Sequence, residues 1–282
     1  MKLLSIIALT LIAFAANSLF CRLALLDNSI DPMSFTAIRL ISGALTLLVI
    51  FLALSKDSLT FSRKRNGWGA LFLLVYALTF SFAYVQLDTA TGALILFGMV
   101  QLTMIVVAQL RGQALTRLEW LGFVVALAGF LYLTLPQFVT PSWLSLLLMM
   151  ISGIAWAAYT LNGKASDKPL MDTALNFLIA SPLMIFIGFI LVLGFGQTMV
   201  LSINGVVLAI ASGALASGIG YSLWYTLLPK LSTSQAATGQ LMVPIIAGIG
   251  GVMFVGEALS VTLMIAGAII LLGVYLTILA KK

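Results

Sequence analysis

The sequence predicts an all-α integral membrane protein, with ten transmembrane helices as two inverted five-helix repeats and both termini cytoplasmic. Three observations predict it. The 282 residues are 62% hydrophobic and 8% charged, where soluble domains have roughly 45–50% apolar and about 25% charged residues. The apolar residues fall in blocks of about 20, enough for a helix to cross roughly 30 Å of hydrocarbon. The second half also repeats the first, with matches 141 to 144 residues apart.

Apolar runs read against polar punctuation place the spans near 3–26, 32–55, 67–87, 89–110, 118–135, 143–163, 171–195, 204–228, 232–255 and 259–280. Lys2 followed by "LLSIIALTLI" imitates a signal peptide, but the apolar run continues through "ANSLFCRLALL" and reads as the first span. With the N-terminus cytoplasmic, Lys2, Lys56, Arg63, Lys64, Arg65, Arg111, Arg117, Lys164, Lys168, Lys230, Lys281 and Lys282 fall on the inner side. Only Arg22 and Arg39, of 14 basic residues, lie elsewhere. The positive-inside rule gives that orientation and makes the +6 net charge a topology signal, with no nucleic acid implied. The expected location is the inner (plasma) membrane of a bacterium.

The repeat is specific. "IAFAANSLFCRLA" (12–24) aligns with "IAWAAYTLNGKAS" (154–166), "SFAY" (81–84) with "SLWY" (222–225), and "GQAL" (112–115) with "GEAL" (256–259). The halves divide as 1–138 and 139–282. Five spans is an odd number, so the second half enters the membrane the other way up. Inverted repeats of this kind characterise secondary transporters, whose substrate site lies near the midplane between halves.

Five plus five helices, with "GQAL" and "GEAL" leading into a Gly-rich last helix, resemble the drug/metabolite transporter superfamily, EamA-like branch. The resemblance covers essentially the whole chain. It implies export or exchange of amino acids and other small metabolites through a cavity lined mainly by helices 1, 3, 4, 6, 8 and 9. The family commonly carries Gly-Glu before the last helix of each half; here the second half has Gly256-Glu257 and the first has Gly112-Gln113.

"AGIGGVMFVGE" (247–257) is rich in glycine but is no phosphate loop. Met253 stands where a dinucleotide motif needs its third glycine, and both flanks are membrane helix. Small residues there allow close helix packing, and Pro244 predicts a bend. Glu257 suits the start of span ten, where an acid favours a helix N-terminus.

Candidate substrate-binding residues are the polar and aromatic side chains within spans. Tyr76, Phe80 and Tyr84 share a face of span three; Tyr221 and Tyr225 do so on span eight, with Trp224 beside them. Trp156 and Tyr159 lie on span six, opposite Phe14 and Asn17 in the repeat. Gln101 and Gln240 sit in spans four and nine. The amides of Asn17, Gln101 and Gln240 need an interhelical partner or a wet cavity, and Tyr84 and Tyr225 also fit an interfacial belt. Arg39 is expected to pair with Asp31 or Asp27, or to snorkel, although a buried ionisable group in a membrane is also a functional candidate.

Several classes fall away. With no histidine and one cysteine, the chain offers no metal ligand set, and no cofactor is expected. No nucleophile–base pair suggests an enzyme. No acid lies deep in a span, which favours facilitated diffusion or exchange over proton coupling. The reading is a secondary transporter of small metabolites, most of all amino acids, working by alternating access. The alternatives are a multidrug or organic-cation exporter and a non-transporting scaffold subunit. Gly122, Ala126 and Gly129 on span five, or Gly267 and Gly273 on span ten, could serve a homodimer.

Overall fold

The computed structural model describes residues 2–55, 59–112, 116–134, 143–195, 199–230, 240 and 242–280. Among them run α1 (Lys2–Leu26), α2 (Pro32–Leu54), α3 (Arg63–Tyr84), α4 (Thr89–Leu110), α5 (Arg117–Thr134), α6 (Trp143–Lys164) and α7 (Pro169–Phe195). They are followed by α8 (Ile203–Leu227), α9 (Met242–Val255) and α10 (Val261–Leu279). Seven of these, α1–α4 and α6–α8, are long and apolar enough to cross a membrane, while α9 and α10 are shorter apolar helices. The expected start of span nine, the boundary between the halves and Gln113 lie outside the described residues.

Local chemistry sets the helix ends. Asp31 caps α2 by accepting from Ser34 N at 2.9 Å, with Pro32 in the first turn, where its missing N–H costs nothing. Ser202 caps α8 through Gly205 N at 3.0 Å. Thr116 and Glu119 form a reciprocal capping box on α5 (3.2 and 2.7 Å). Gly112 and Gly256, equivalent in the repeat, follow α4 and α9 in the left-handed region, at φ 79° and 77°. Glycine enters that region without a Cβ penalty.

The packing pattern repeats when α1–α5 are exchanged for α6–α10. α3 packs on α6 and α7, as α8 packs on α1 and α2; α4 packs on α6, as α9 packs on α1; α2 meets α7, and α5 meets α10. The α5–α10 contact is backbone-close. A Cβ on Gly122 would strike Gly273 O, and one on Gly129 would meet Ile269 at 2.8 Å. Of the small residues named for a dimer, Gly122, Ala126 and Gly273 pack against one another within the chain, Gly129 meets Ile269 and Ile270, and Gly267 faces Leu94.

Outward faces are apolar. Leu45, Val49 and Leu52 on α2, and Phe186, Phe189 and Leu193 on α7, are exposed, at spacings that share a helix face. Arg39, Leu40, Gly43 and Leu47 occupy the buried face of α2. Apolar surface this extensive on separate helices suits hydrocarbon rather than water. The chain is a multi-pass membrane protein.

Two helices are distorted, α8 over Ser212–Ile219 and α9 over Gly251–Val255, where π-helical bonding replaces the α pattern. The irregularity of α9 thus lies beyond Pro244, which sits buried in the first turn of the described helix. The glycine run does serve close packing: Gly250 faces Leu19, and Gly251 lies against Thr89 and the Glu257 carboxylate.

Candidate functional site

Where α1, α2, α3, α4, α6 and α8 converge, aromatic rings surround a buried polar cluster. Trp156 lies 4.9 Å, centroid to centroid, from both Tyr76 and Tyr221, and Phe14 meets Trp156 edge-on at 5.6 Å. Such offset and edge-on pairs each contribute about 0.5–1.5 kcal/mol beyond area burial. Phe14 and Trp156 are repeat equivalents, and here they touch each other. The cavity among Phe14, Asn17, Tyr76, Phe80, Trp156 and Tyr221 is about 10 Å³, roughly the space of one water.

The polar contacts run through the same rings. Asn17 Nδ2 donates to Tyr76 OH at 3.1 Å, and Ser212 Oγ donates to Asn17 Oδ1 at 2.5 Å. Trp156 Nε1 donates to Gln240 Oε1 at 2.8 Å. Interhelical bonding therefore satisfies the Asn17 amide and engages the Gln240 carbonyl. Gln101 is buried on α4 but does not line the cavity, and its Oε1 has no partner among the described residues.

Arg39 corrects the expectation from sequence. It pairs with neither Asp31 nor Asp27 and does not snorkel; it is 1% exposed. Its Nε donates to Ser217 Oγ at 3.2 Å, and Nη2 donates to Tyr76 OH at 3.0 Å and Tyr221 OH at 3.3 Å. The guanidinium carbon lies 5.2 and 5.0 Å from the ring centroids of Tyr76 and Phe80, a cation–π geometry. Asp31 is engaged elsewhere, accepting from Ser34 N and Val200 N.

The π segment of α8 builds part of this cluster. Ser212 meets Asn17 on α1 and Ser217 meets Arg39 on α2, and residues five apart on a regular α-helix would point about 140° from each other. Bonding from i to i+5 brings them toward one face. The segment lies hard against α2: a Cβ on Gly213 would overlap Ser42 Oγ and Arg39 O, and one on Gly218 would meet Thr46 at 2.8 Å.

Aromatic residues continue the cluster toward both ends. Tyr84 is fully buried and donates to Thr89 O at 3.3 Å, packed over Gly92. Tyr159 bridges Trp156 (5.6 Å) and Tyr225 (5.9 Å), and Tyr225 packs against Gly163. Both tyrosines near span ends are therefore interior, away from any interfacial belt.

Each end of the bundle carries an ionic clasp. At one end Arg22 Nε bonds Glu257 Oε1 at 3.1 Å, its Nη1 donates to Tyr84 O and Val85 O at 3.1 Å each, and its Nη2 reaches Asp88 at 3.4 Å. Glu257 also accepts from Thr89 N at 2.9 and 3.0 Å. It thus serves the N-terminus of α4, and Ser260 caps α10 in its place, accepting from Leu263 N. The turn at Gly256 directs Glu257 back across the bundle, with Glu257 N bonded to Gly251 O at 3.1 Å.

At the other end Arg65 Nε forms an ion pair with Asp172 Oδ2 at 2.8 Å, and Asn66 Nδ2 donates to Asp172 Oδ1 at 2.9 Å. Ser166 Oγ also donates to Asp172, and Asn162 Nδ2 donates to Arg65 O. Asp172 lies 141 residues after Asp31, the repeat offset, and each acid ties the start of α7 or α2 to the approach of α3 or α8. Sequence reasoning missed Arg22, Arg65, Asp172, Ser212 and Ser217. The alignment of Asp31 with Asp172 was a signal that could have found the last acid.

The EamA-like transporter family model matches residues 143–279. An uncharacterized protein of Pseudomonas aeruginosa is 45% identical over 277 residues, covering 96% of this chain and 94% of that one. Proteins described as uncharacterized transporters are 26% identical in Archaeoglobus fulgidus (96% of each chain) and 28% identical in Bacillus subtilis (YwfM; 89% and 85%). A crystal structure at 20% identity superposes with a TM-score of 0.69 over 98% of this chain and 99% of the other, and so has the same fold. The chain belongs to the EamA-like transporter family of the drug/metabolite transporter superfamily and is a membrane transporter.

Proposed function

We propose that the protein is a secondary transporter that exports or exchanges small metabolites, amino acids foremost, by alternating access through the aromatic cluster around Trp156. One observation carries this reading: both halves supply side chains to a single buried polar and aromatic site with almost no free volume. Rings on each side suit an amphipathic molecule with a flat or apolar body, and the amides can orient its polar end.

The rest of the mechanism follows from symmetry. The interchangeable packing pattern, the contact between Phe14 and Trp156, and the shared left-handed turns at Gly112 and Gly256 support two inverted repeats, 1–138 and 139–282. Ten spans with cytoplasmic termini put the Arg22 clasp on the periplasmic side of the inner membrane and the Arg65 clasp on the cytoplasmic side. Both clasps are formed here, which supports reading this conformation as the occluded one. Opening either one while keeping the other gives the two access states. The substrate's own gradient drives the cycle.

The test is uptake by proteoliposomes loaded with unlabelled amino acids, measured as counterflow of labelled phenylalanine and leucine with and without a pH gradient. Counterflow without a pH gradient is the expected result. Uptake that requires the gradient and disappears in Glu257→Gln would replace exchange with proton coupling. Folded protein that moves no amino acid would reject the substrate class.

A further inference from the structure

We infer that Arg39 is the receptor for the substrate's carboxylate, and that the transported molecules are therefore monoanionic or zwitterionic at this group, never simple amines. The inference rests on the transport reading above and specifies its substrate chemistry.

The electrostatics lead there. Arginine cannot shed its proton in a protein, so a guanidinium at 1% exposure is a fixed positive charge inside the bundle. Hydrogen bonds from Nε and Nη2 go to three neutral hydroxyls, and two ring faces add cation–π attraction. No carboxylate among the described residues pairs with it. Nη1 is buried and has no hydrogen-bond partner among the described residues. A buried charge without a counter-charge costs several kcal/mol, and in a membrane segment such a group marks a ligand pathway.

Position supplies the second argument. Tyr76 and Tyr221, which hold Nη2, also line the central cavity beside Trp156. An anion entering that cavity as the rings part reaches the guanidinium through these same residues. One guanidinium neutralises one carboxylate; a phosphate dianion would leave a net negative charge in the same dry site. The repeat is informative too, because the position 141 residues after Arg39 is Ala180. The charge is thus present once, on one wall, and gives an otherwise pseudosymmetric site a polar direction. Aromatic rings alone would admit organic cations; a fixed positive charge among them excludes those cations by repulsion.

The experiment uses purified full-length protein with phenylalanine, phenylacetate, phenethylamine, phenylalanine methyl ester and phenyl phosphate as probes, and thermal unfolding as the binding readout. Phenylalanine and phenylacetate are expected to raise the melting temperature of the wild type; the other three are not. Arg39→Met should melt at or above wild type without ligand, since it removes an uncompensated charge, and should bind phenylalanine about 100-fold more weakly, the scale of a lost buried charge pair. Arg39→Lys should keep part of the carboxylate response. Stabilisation by phenethylamine, the ester or phenyl phosphate equal to that by phenylalanine overturns the inference, as does unchanged phenylalanine affinity in Arg39→Met. An Arg39→Met protein that unfolds far below wild type would make Arg39 a structural tie and also overturn it. Counterflow of the same probes separates the two levels. Transport of amines but not acids leaves the transporter reading standing and rejects the role of Arg39, whereas transport of none rejects the amino-acid substrate class together with that role.

Discussion

Arg22 on α1 and Glu257 after α9 are 235 residues apart in sequence and bonded at 3.1 Å, both side chains nearly buried. The pair joins the first helix to the last turn before α10 and simultaneously caps α4. Glu257→Gln keeps the shape but removes one charge, and should cost about 2–3 kcal/mol at this clasp, since Asp88 and two carbonyls still hold Arg22. Cys21, adjacent to Arg22 and the sole cysteine, is fully buried. Maleimide labelling of Cys21 should therefore be faster in Glu257→Gln than in wild type. An unchanged rate would mean that the clasp does not control access at that end.

Asp172→Asn weakens the opposite clasp, where Arg65, Asn66 and Ser166 converge on one carboxylate. If the ends alternate, favouring opening at the Arg65 end draws population away from opening at the Arg22 end. Cys21 labelling should then be slower than in wild type. The two clasp variants are expected to move one reporter in opposite directions.

Gly213→Ala tests the contact between α2 and the π segment of α8. A Cβ there overlaps Ser42 Oγ and the Arg39 carbonyl, so α8 must shift outward. The expected loss is about 1–3 kcal/mol, read as a lower melting temperature in detergent, together with loss of transport as Ser212 and Ser217 leave Asn17 and Arg39. Gly67→Ala, where a Cβ meets nothing within 4 Å, should leave both measurements at wild-type values.

Trp156→Phe keeps a ring between Tyr76 and Tyr221 but removes the indole donor to Gln240. A buried acceptor that loses a donor costs about 1–3 kcal/mol. Thermal unfolding should report that loss, and counterflow should slow because α6 loses its direct tie to Gln240 at the site.

Much of this architecture was legible in the sequence because a bilayer imposes a simple rule on composition and length. "IAFAANSL" and "IAWAAYTL" preserve small and aromatic residues at matching places in the sequence, and Phe14 does touch Trp156. Tyr76, Phe80, Trp156 and Tyr221 converge as their helical spacing suggested. What was hidden depends on relations between distant segments. Arg39 has Asp31 eight residues before it, which invites a local pair, but the helix rotation points it at Tyr76 and Tyr221 instead. Glu257 precedes α10 in sequence, yet the left-handed turn at Gly256 sends it to α4. The π segment has no compositional signature in "SGALASGI" beyond small residues, yet it carries Ser212 and Ser217 to Asn17 and Arg39.

The most direct test of a central transport site is counterflow of labelled phenylalanine in proteoliposomes carrying wild type, Trp156→Ala or Tyr221→Ala, with folding checked by thermal unfolding. Wild type should exchange without a pH gradient, and both variants should lose most of that exchange while remaining folded. Exchange at wild-type rates in both variants would contradict the account, because the substrate would then be crossing the bundle elsewhere.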